Sequence, residues 1–198
     1  MQVTTEGIVL SIQRRGDSSS VLHVYTRASG RVNYMVYGAG SKRHASGQFL
    51  PLSLVELTVD MHPNRDLGTV KESRLMYVPT CMDTDVRRQS VAMFIAEVLY
   101  RTLRHPMADE LLFERLVEVV HEVDTADDIE NVHLRFLVTF AGCLGFAIDA
   151  EQYPELLREP HTRKERQELL LSLCQYFHKH IDDWQQPKSL DVLHELFD

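Results

Sequence analysis

Gly30-Arg31-Val32-Asn33-Tyr34-Met35-Val36-Tyr37 runs directly into Gly38-Ala39-Gly40-Ser41-Lys42-Arg43, and Leu50-Pro51-Leu52-Ser53-Leu54 follows shortly after. The first run alternates: Val32, Tyr34 and Val36 share one face of an extended chain, and Asn33, Met35 and Tyr37 the other. The second is a glycine-punctuated loop with two adjacent cations. Pro51 then opens another apolar run. A basic loop between two strands is suited to holding a phosphate backbone.

Further strands lie on both sides of this segment. Gly7 to Ile12 is apolar and β-branched, and Val21 to Tyr25 follows the Arg14-Arg15-Gly16-Asp17 turn. Ala28-Ser29-Gly30 predicts a hairpin turn. Leu52 to Met61 alternates, Pro63 to Gly68 is rich in turn residues, and Thr69 to Val78 gives a fifth strand. Five short strands at this spacing predict a small barrel. From about Asp83 the apolar period becomes helical. The stripes are Val91, Phe94, Ile95, Val98 and Leu99; Leu111, Leu112, Leu116, Val119 and Val120; Leu134, Leu137, Val138, Ala141 and Leu144; and Leu169, Leu170, Leu173 and Phe177, with a short fifth helix from Leu190 to Phe197. Pro79 disfavours helix at Val78 and marks a boundary. The expected fold is α+β, a five-stranded barrel over residues 1–79 followed by an all-helical domain over 80–198.

The 198 residues carry a formal charge of −8, which by itself argues against nucleic acid. The charge is uneven, however. Residues 1–80 hold nine Lys/Arg against six Asp/Glu, a net of +3; residues 81–198 hold twelve against twenty-three, a net of −11. The two halves therefore suggest a division of labour, although a plain solvated surface on each half would also give this pattern. Cys81, Cys143 and Cys174 are widely spaced and form no CxxC pair, which excludes a disulfide framework or a cysteine zinc site as the organising element and fits a reducing compartment. No signal peptide is evident at Met1 to Glu6, and no apolar run approaches the ~18 residues of a membrane span.

Bond-breaking chemistry finds no support. The ten histidines show no HExxH spacing, and His178 and His180 face different sides of a helix. Cys143 and Cys174 lie in apolar helical stripes, where a cysteine is usually a small packing residue. Gly38 to Lys42 lacks the frame of a nucleotide-binding loop. The cations of the first half are more informative. Arg14, Arg15, Arg31, Lys42 and Arg43, with Lys71 and Arg74, are the candidate DNA contacts, interleaved with Tyr25, Tyr34, Tyr37 and Phe49. Cationic loops beside aromatic platforms are what single-stranded nucleic acid requires. Tyr34, between Val32 and Val36, reads instead as core.

Several segments resemble the RecO family of bacterial recombination mediators. These are Glu6-Gly7-Ile8-Val9-Leu10, Tyr25-Thr26-Arg27-Ala28-Ser29-Gly30-Arg31-Val32, Gly38 to Arg43 followed by Leu50-Pro51-Leu52-Ser53, and Leu134-Arg135-Phe136 with Leu144-Gly145-Phe146. The resemblance implies an OB-fold barrel, a helical C-terminal domain and no enzymatic turnover. It implies binding of single- and double-stranded DNA, strand annealing, and, with RecR, loading of RecA onto coated DNA. It also implies engagement of the acidic tail of single-strand binding protein. Arg135, with Arg101 and Arg104 and longer-range help from Arg87, is the expected anchor for that tail. The setting would be cytoplasmic, at the nucleoid. Many members carry a four-cysteine zinc module after the Leu-Gly-aromatic turn. Here Asp149 to Pro154 contains no cysteine pair, so neither zinc nor any other cofactor is expected. A different reading stays open, in which the barrel is a protein–protein adaptor that never touches DNA; the net charge of −8 favours it.

Overall fold

The computed structural model describes residues 2–38, 49–61, 67–80 and 84–197. The strands are β1 (Gln2–Arg14), β2 (Ser19–Thr26), β3 (Gly30–Tyr37), β4 (Leu54–Asp60) and β5 (Gly68–Tyr77). They close into a barrel in the order β1-β2-β3-β5-β4. Every neighbouring pair is antiparallel except β3 and β5, which run parallel and meet at Tyr34 with Gly68 and Met35 with Thr69. This is OB-fold topology. Val9, Leu22, Val24, Tyr34, Val36, Val55, Leu57, Val59 and Val70 fill the interior together with Phe49. The alternation of β3 thus points Tyr34 and Val36 inward, as expected.

Two strand limits differ from the sequence reading. β1 begins at Gln2, because its first half pairs with β4 (Gln2 opposite Asp60 through Ile8 opposite Leu54) and needs no apolar alternation of its own. β4 begins at Leu54, because Leu52 takes a left-handed backbone, φ 63°. The Leu52 N–H donates to the Val9 carbonyl (2.8 Å), and the Val9 N–H donates to the Ser53 carbonyl (2.9 Å), so this kink is fastened to β1 at its bulge.

The helices are α1 (Val86–Thr102), α2 (Glu110–Thr125), α3 (Ile129–Cys143), α4 (Arg163–His180) and α5 (Ser189–Leu196), with a 3₁₀ turn at Pro154–Leu157. None of them is long and apolar enough to cross a membrane, among the described residues. The chain forms two compact units: Met1–Thr80 with Leu103–His121, and Cys81–Thr102 with Glu122–Asp198. The first therefore holds the barrel and most of α2. Arg27 fastens them: its guanidinium bonds Glu6 of β1 (2.8 Å), Glu114 of α2 (2.5 Å) and Glu110 of α2, and lies 4.4 Å from the centre of the Phe113 ring. Phe113 in turn stacks on Tyr25 of β2, with centroids 6.3 Å apart. The buried stripe of α2 starts at Leu112 and Phe113. Leu111, expected inside, is 80% exposed, because the helix is phased by Phe113.

In the second unit α1 packs against α3 and α5, and α3 against α4. Its core includes Phe94, Phe136, Phe140 and Phe177. A capping box opens α4: Thr162 Oγ1 accepts from the Glu165 N–H, and the Glu165 carboxylate accepts from the Thr162 N–H. Arg88 of α1 donates to the carbonyls of Val123 (2.8 Å) and Ala126 (2.6 Å), which have no acceptor role within a helix end. Glu97 of α1 accepts from the backbone N–H groups of Lys188 and Ser189, fixing the start of α5. His133 of α3 is fully enclosed between Phe94 and Phe197, and burial, reinforced by nearby Arg166, pushes its pKa down to about 3.

Gly30 has φ 66°, and a Cβ there would collide with the backbone of Met107 in the same unit. Gly30→Ala should destabilise the protein by about 2 kcal/mol or more, since left-handed strain alone costs ~1–2 kcal/mol and the Met107 backbone must also move; urea unfolding measures it. His133 binds no proton in the native state until about pH 3, whereas the unfolded chain does so near 6.5. Its contribution is therefore complete above pH 6.5 and lost as pH falls from there towards 3. His133→Phe should flatten the acid side of the stability profile, by about 2 kcal/mol at pH 5, in urea titrations run at several pH values.

Candidate nucleic-acid interface

The outward face of β2 and β3 is set by their register. Arg31 lies opposite Tyr25, Asn33 opposite His23, Met35 opposite Val21 and Tyr37 opposite Ser19. From Arg31 to Tyr37 the lane is about 20 Å long at ~3.3 Å per residue. Tyr37 at one end is 54% exposed. Tyr25 at the other is buried under Phe113, so of these two tyrosines only Tyr37 offers a ring for stacking. At mid-lane the His23 Nδ1–H donates to Asn33 Oδ1 at 2.6 Å. Burial lowers the His23 pKa; the Asn33 bond opposes this, and the charges of Arg31 and Arg15 add to the lowering. His23 is thus biased towards its neutral form chiefly by burial, and the lane presents hydrogen-bonding groups near Arg31 and Arg15.

Arg14 and Arg15 end β1 at the β1–β2 turn, and both are exposed. The Arg14 guanidinium turns back on its own loop, donating to the carbonyls of Gly16 (3.0 Å) and Asp17 (3.3 Å). Arg15 uses its backbone N–H to close the turn on Ser19 (2.9 Å). Arg31 is half-buried. Lys42 and Arg43 lie outside the described residues. Lys71 and Arg74 belong to β5, alongside β4, and each faces an acid. Lys71 Nζ is 3.7 Å from Asp60, and Arg74 Nε donates to Glu56 at 3.0 Å. That contact holds the Glu56 carboxyl below its ordinary range. The structure thus gathers Arg15 and Arg31 about the β2–β3 face, with Arg14 shaping the adjacent turn, and sets Lys71 and Arg74 apart in ion pairs.

Two residues of this face went unmarked in the sequence. His23 and Asn33 each lie five residues from Ala28, the centre of the turn that pairs Thr26 with Gly30, so hairpin counting would have paired them. Arg27 was counted among the cations of the basic half, yet its three carboxylate partners neutralise it.

The helical unit holds the other candidates. Arg135 on α3 forms a fork with Asp128 (2.5 and 3.1 Å) and donates from Nε to Glu122 (2.8 Å). It draws the Asp128 carboxyl below its ordinary range and leaves that side chain without a capping bond to α3. Beside it lies a groove of about 400 Å³ lined by Leu134, Val138, Leu156, Leu157, Pro160 and Arg158. Arg158 is exposed and forms no ion pair among the described residues. Arg101 is held by Glu97 (2.6 Å) and donates to Gln185 (2.9 Å), so its role is to support the α1–α5 contact. Arg104 falls in the unit that contains the barrel. The described residues contain no cluster of three or more His, Cys, Asp or Glu able to hold a metal.

Comparison with known proteins adds sequence evidence to this geometry. The family model "Recombination protein O N terminal" matches residues 1–78, and "Recombination protein O C terminal" matches residues 83–153. The DNA repair protein RecO of Phocaeicola vulgatus is 30% identical, with 98% of each chain covered. The proteins of the same name from Flavobacterium johnsoniae and Porphyromonas gingivalis are 29% and 28% identical over the full length of both chains. The P. vulgatus alignment extends over 236 positions against the 198 residues of this chain, so the relative carries segments that this chain lacks.

Proposed function

The chain belongs to the RecO family of DNA repair proteins, and from that premise we propose that it is a DNA-binding recombination mediator, not an enzyme. It binds single- and double-stranded DNA, anneals complementary strands, and with RecR helps to load RecA onto DNA coated by single-strand binding protein, in the cytoplasm at the nucleoid. The observation that carries this reading is the β2–β3 lane: exposed Tyr37, the neutral His23–Asn33 pair, and Arg31 and Arg15 at its two ends. In OB barrels the strand 2–3 face and the adjoining loops are where oligonucleotides lie. Tyr37 supplies a stacking surface, the amide and imidazole supply sequence-tolerant hydrogen bonds, and the guanidiniums meet phosphates. Annealing then follows from charge. Neutralising two backbones lowers their mutual repulsion and lets complementary bases meet.

A salt titration of single-stranded oligonucleotide binding tests the reading. Arg15→Ala and Arg31→Ala should each reduce the log–log salt slope by about 0.7, uniformly across sequences. Lys42→Ala with Arg43→Ala should act in the same way if that loop also meets phosphate. Lys71→Ala and Arg74→Ala should change the slope less, because each cation already faces a carboxylate. Binding that is insensitive to salt, or absent, would instead favour the protein–protein adaptor.

The groove beside Arg135 supports binding of the acidic, apolar-ended tail of single-strand binding protein. Its apolar lining suits the terminal side chain. Since Arg135 is already engaged by Asp128 and Glu122, Arg158 is the more available partner for a carboxylate. With a labelled tail peptide in fluorescence polarisation, Arg158→Ala should weaken binding about tenfold, roughly 1.4 kcal/mol, and more than Arg135→Ala. An unchanged affinity in both variants would place the tail elsewhere.

A further inference from the structure

The Asp128 carboxylate accepts from Arg135 Nη1 (2.5 Å), Arg135 Nη2 (3.1 Å) and Asn131 Nδ2 (3.4 Å). Arg135 and Asn131 both line the groove beside α3, whereas Asp128 does not. A carboxylate entering that groove would meet the same two donor side chains. We propose that Asp128 is an intramolecular stand-in for a ligand carboxylate, a latch that a peptide in the groove displaces in order to reach Arg135. The latch rests on the reading of this groove as an acidic-peptide site, and it sets the affinity of that site.

The fork has the form of a ligand contact. Two guanidinium nitrogens meet two carboxylate oxygens, the arrangement by which arginine recognises carboxylates. It is also open to exchange. The Arg135 and Asp128 side chains are 42% and 45% exposed, and an ion pair so accessible to water is weak. Glu122 grips the guanidinium separately, at Nε (2.8 Å), so Arg135 keeps its place when Asp128 lets go.

Asp128 has a second seat. It stands at the N-cap of α3, where a carboxylate ordinarily accepts from the first backbone N–H groups of a helix, yet its side chain makes no capping bond. Those first N–H groups have no carbonyl partner inside the helix. A carboxylate released by Arg135 therefore exchanges one set of donors for another. The latch lowers the apparent affinity according to the fraction of time that Arg135 is engaged. Arg158, which lies outside the fork, remains the standing contact for the peptide.

Fluorescence polarisation on the full-length protein at constant ionic strength tests this, with a labelled acidic peptide that ends in an apolar residue. Asp128→Asn is the informative variant, because asparagine caps a helix as well as aspartate does and brings no charge to Arg135. It should bind the peptide about threefold more tightly than the wild type. Asp127→Asn removes the same charge one residue away, from a side chain that does not bond Arg135, and should change the affinity less. Arg135→Ala should cost more in the Asp128→Asn background than in the wild type, since only there has Asp128 released the guanidinium. A control peptide with amides in place of its carboxylates should gain nothing from Asp128→Asn. Wild-type binding that Asp128→Asn leaves unchanged or weakens, or an equal gain from Asp127→Asn, would overturn the latch and leave the groove as a peptide site. No binding by any of these proteins would overturn both.

Discussion

Arg27 is the contact on which the barrel unit depends. One guanidinium reaches Glu6 on β1 and Glu110 and Glu114 on α2, and covers the face of Phe113. Its pKa is raised by these partners, against the cost of desolvation. The arrangement is asymmetric: three carboxylates meet one cation. Loss of the cation would leave Glu6, Glu110 and Glu114 without their shared partner, although solvent around Glu110 and Glu114 screens the repulsion. The same residue seats Phe113 on Tyr25, and that stacking decides which end of the β2–β3 face is covered and which stays open to a ligand.

The open end has an economy of its own. His23 and Asn33 are bonded to each other across the two strands in the absence of a ligand. Burial, with a smaller push from the charges of Arg31 and Arg15, favours the neutral imidazole, which can act as donor at one nitrogen and acceptor at the other. A face of this kind can adapt to different bases, which suits a protein that meets DNA of any sequence.

Much of the fold was legible in the chain. Alternation in Gly30 to Tyr37 gave the inward Tyr34 and Val36, and the helical stripe from Val91 to Leu99 is buried throughout. What stayed hidden depends on distance in sequence. The partners of Lys71 and Arg74 come from the β4–β5 register, which a bulge shifts between Thr58 and Val59. Leu111 and Phe113 are apolar residues two apart on one helix; the position of Tyr25, 88 residues before Phe113, determines which of them is inside. Arg135 read as a candidate anchor because its carboxylate partners, Asp128 and Glu122, lie in the turn and helix before it and not on its own helix face. Single-residue chemistry was visible, whereas pairing was visible only where a short turn fixed it.

β1 serves two neighbours in succession: its residues from Gly7 onward pair with β2, and those up to Ile8 pair with β4. The first pairing closes a short hairpin. The second must wait until residues 54 to 60 have left the ribosome. Local contacts form quickly, and distant ones bear the entropy of a long loop. The chain should therefore build a β1–β2–β3 meander first and exist for a time as an open sheet. During that interval the front half of β1 is an unpaired edge of Val3, Thr4 and Thr5, a template for pairing with another nascent chain. Glu6, at the inner end of that edge, is the β1 carboxylate that Arg27 later binds, and until then it is the one charged residue among the first eight. A group that locks α2 to the finished barrel is thus placed where it also discourages strand-to-strand association before the barrel is closed.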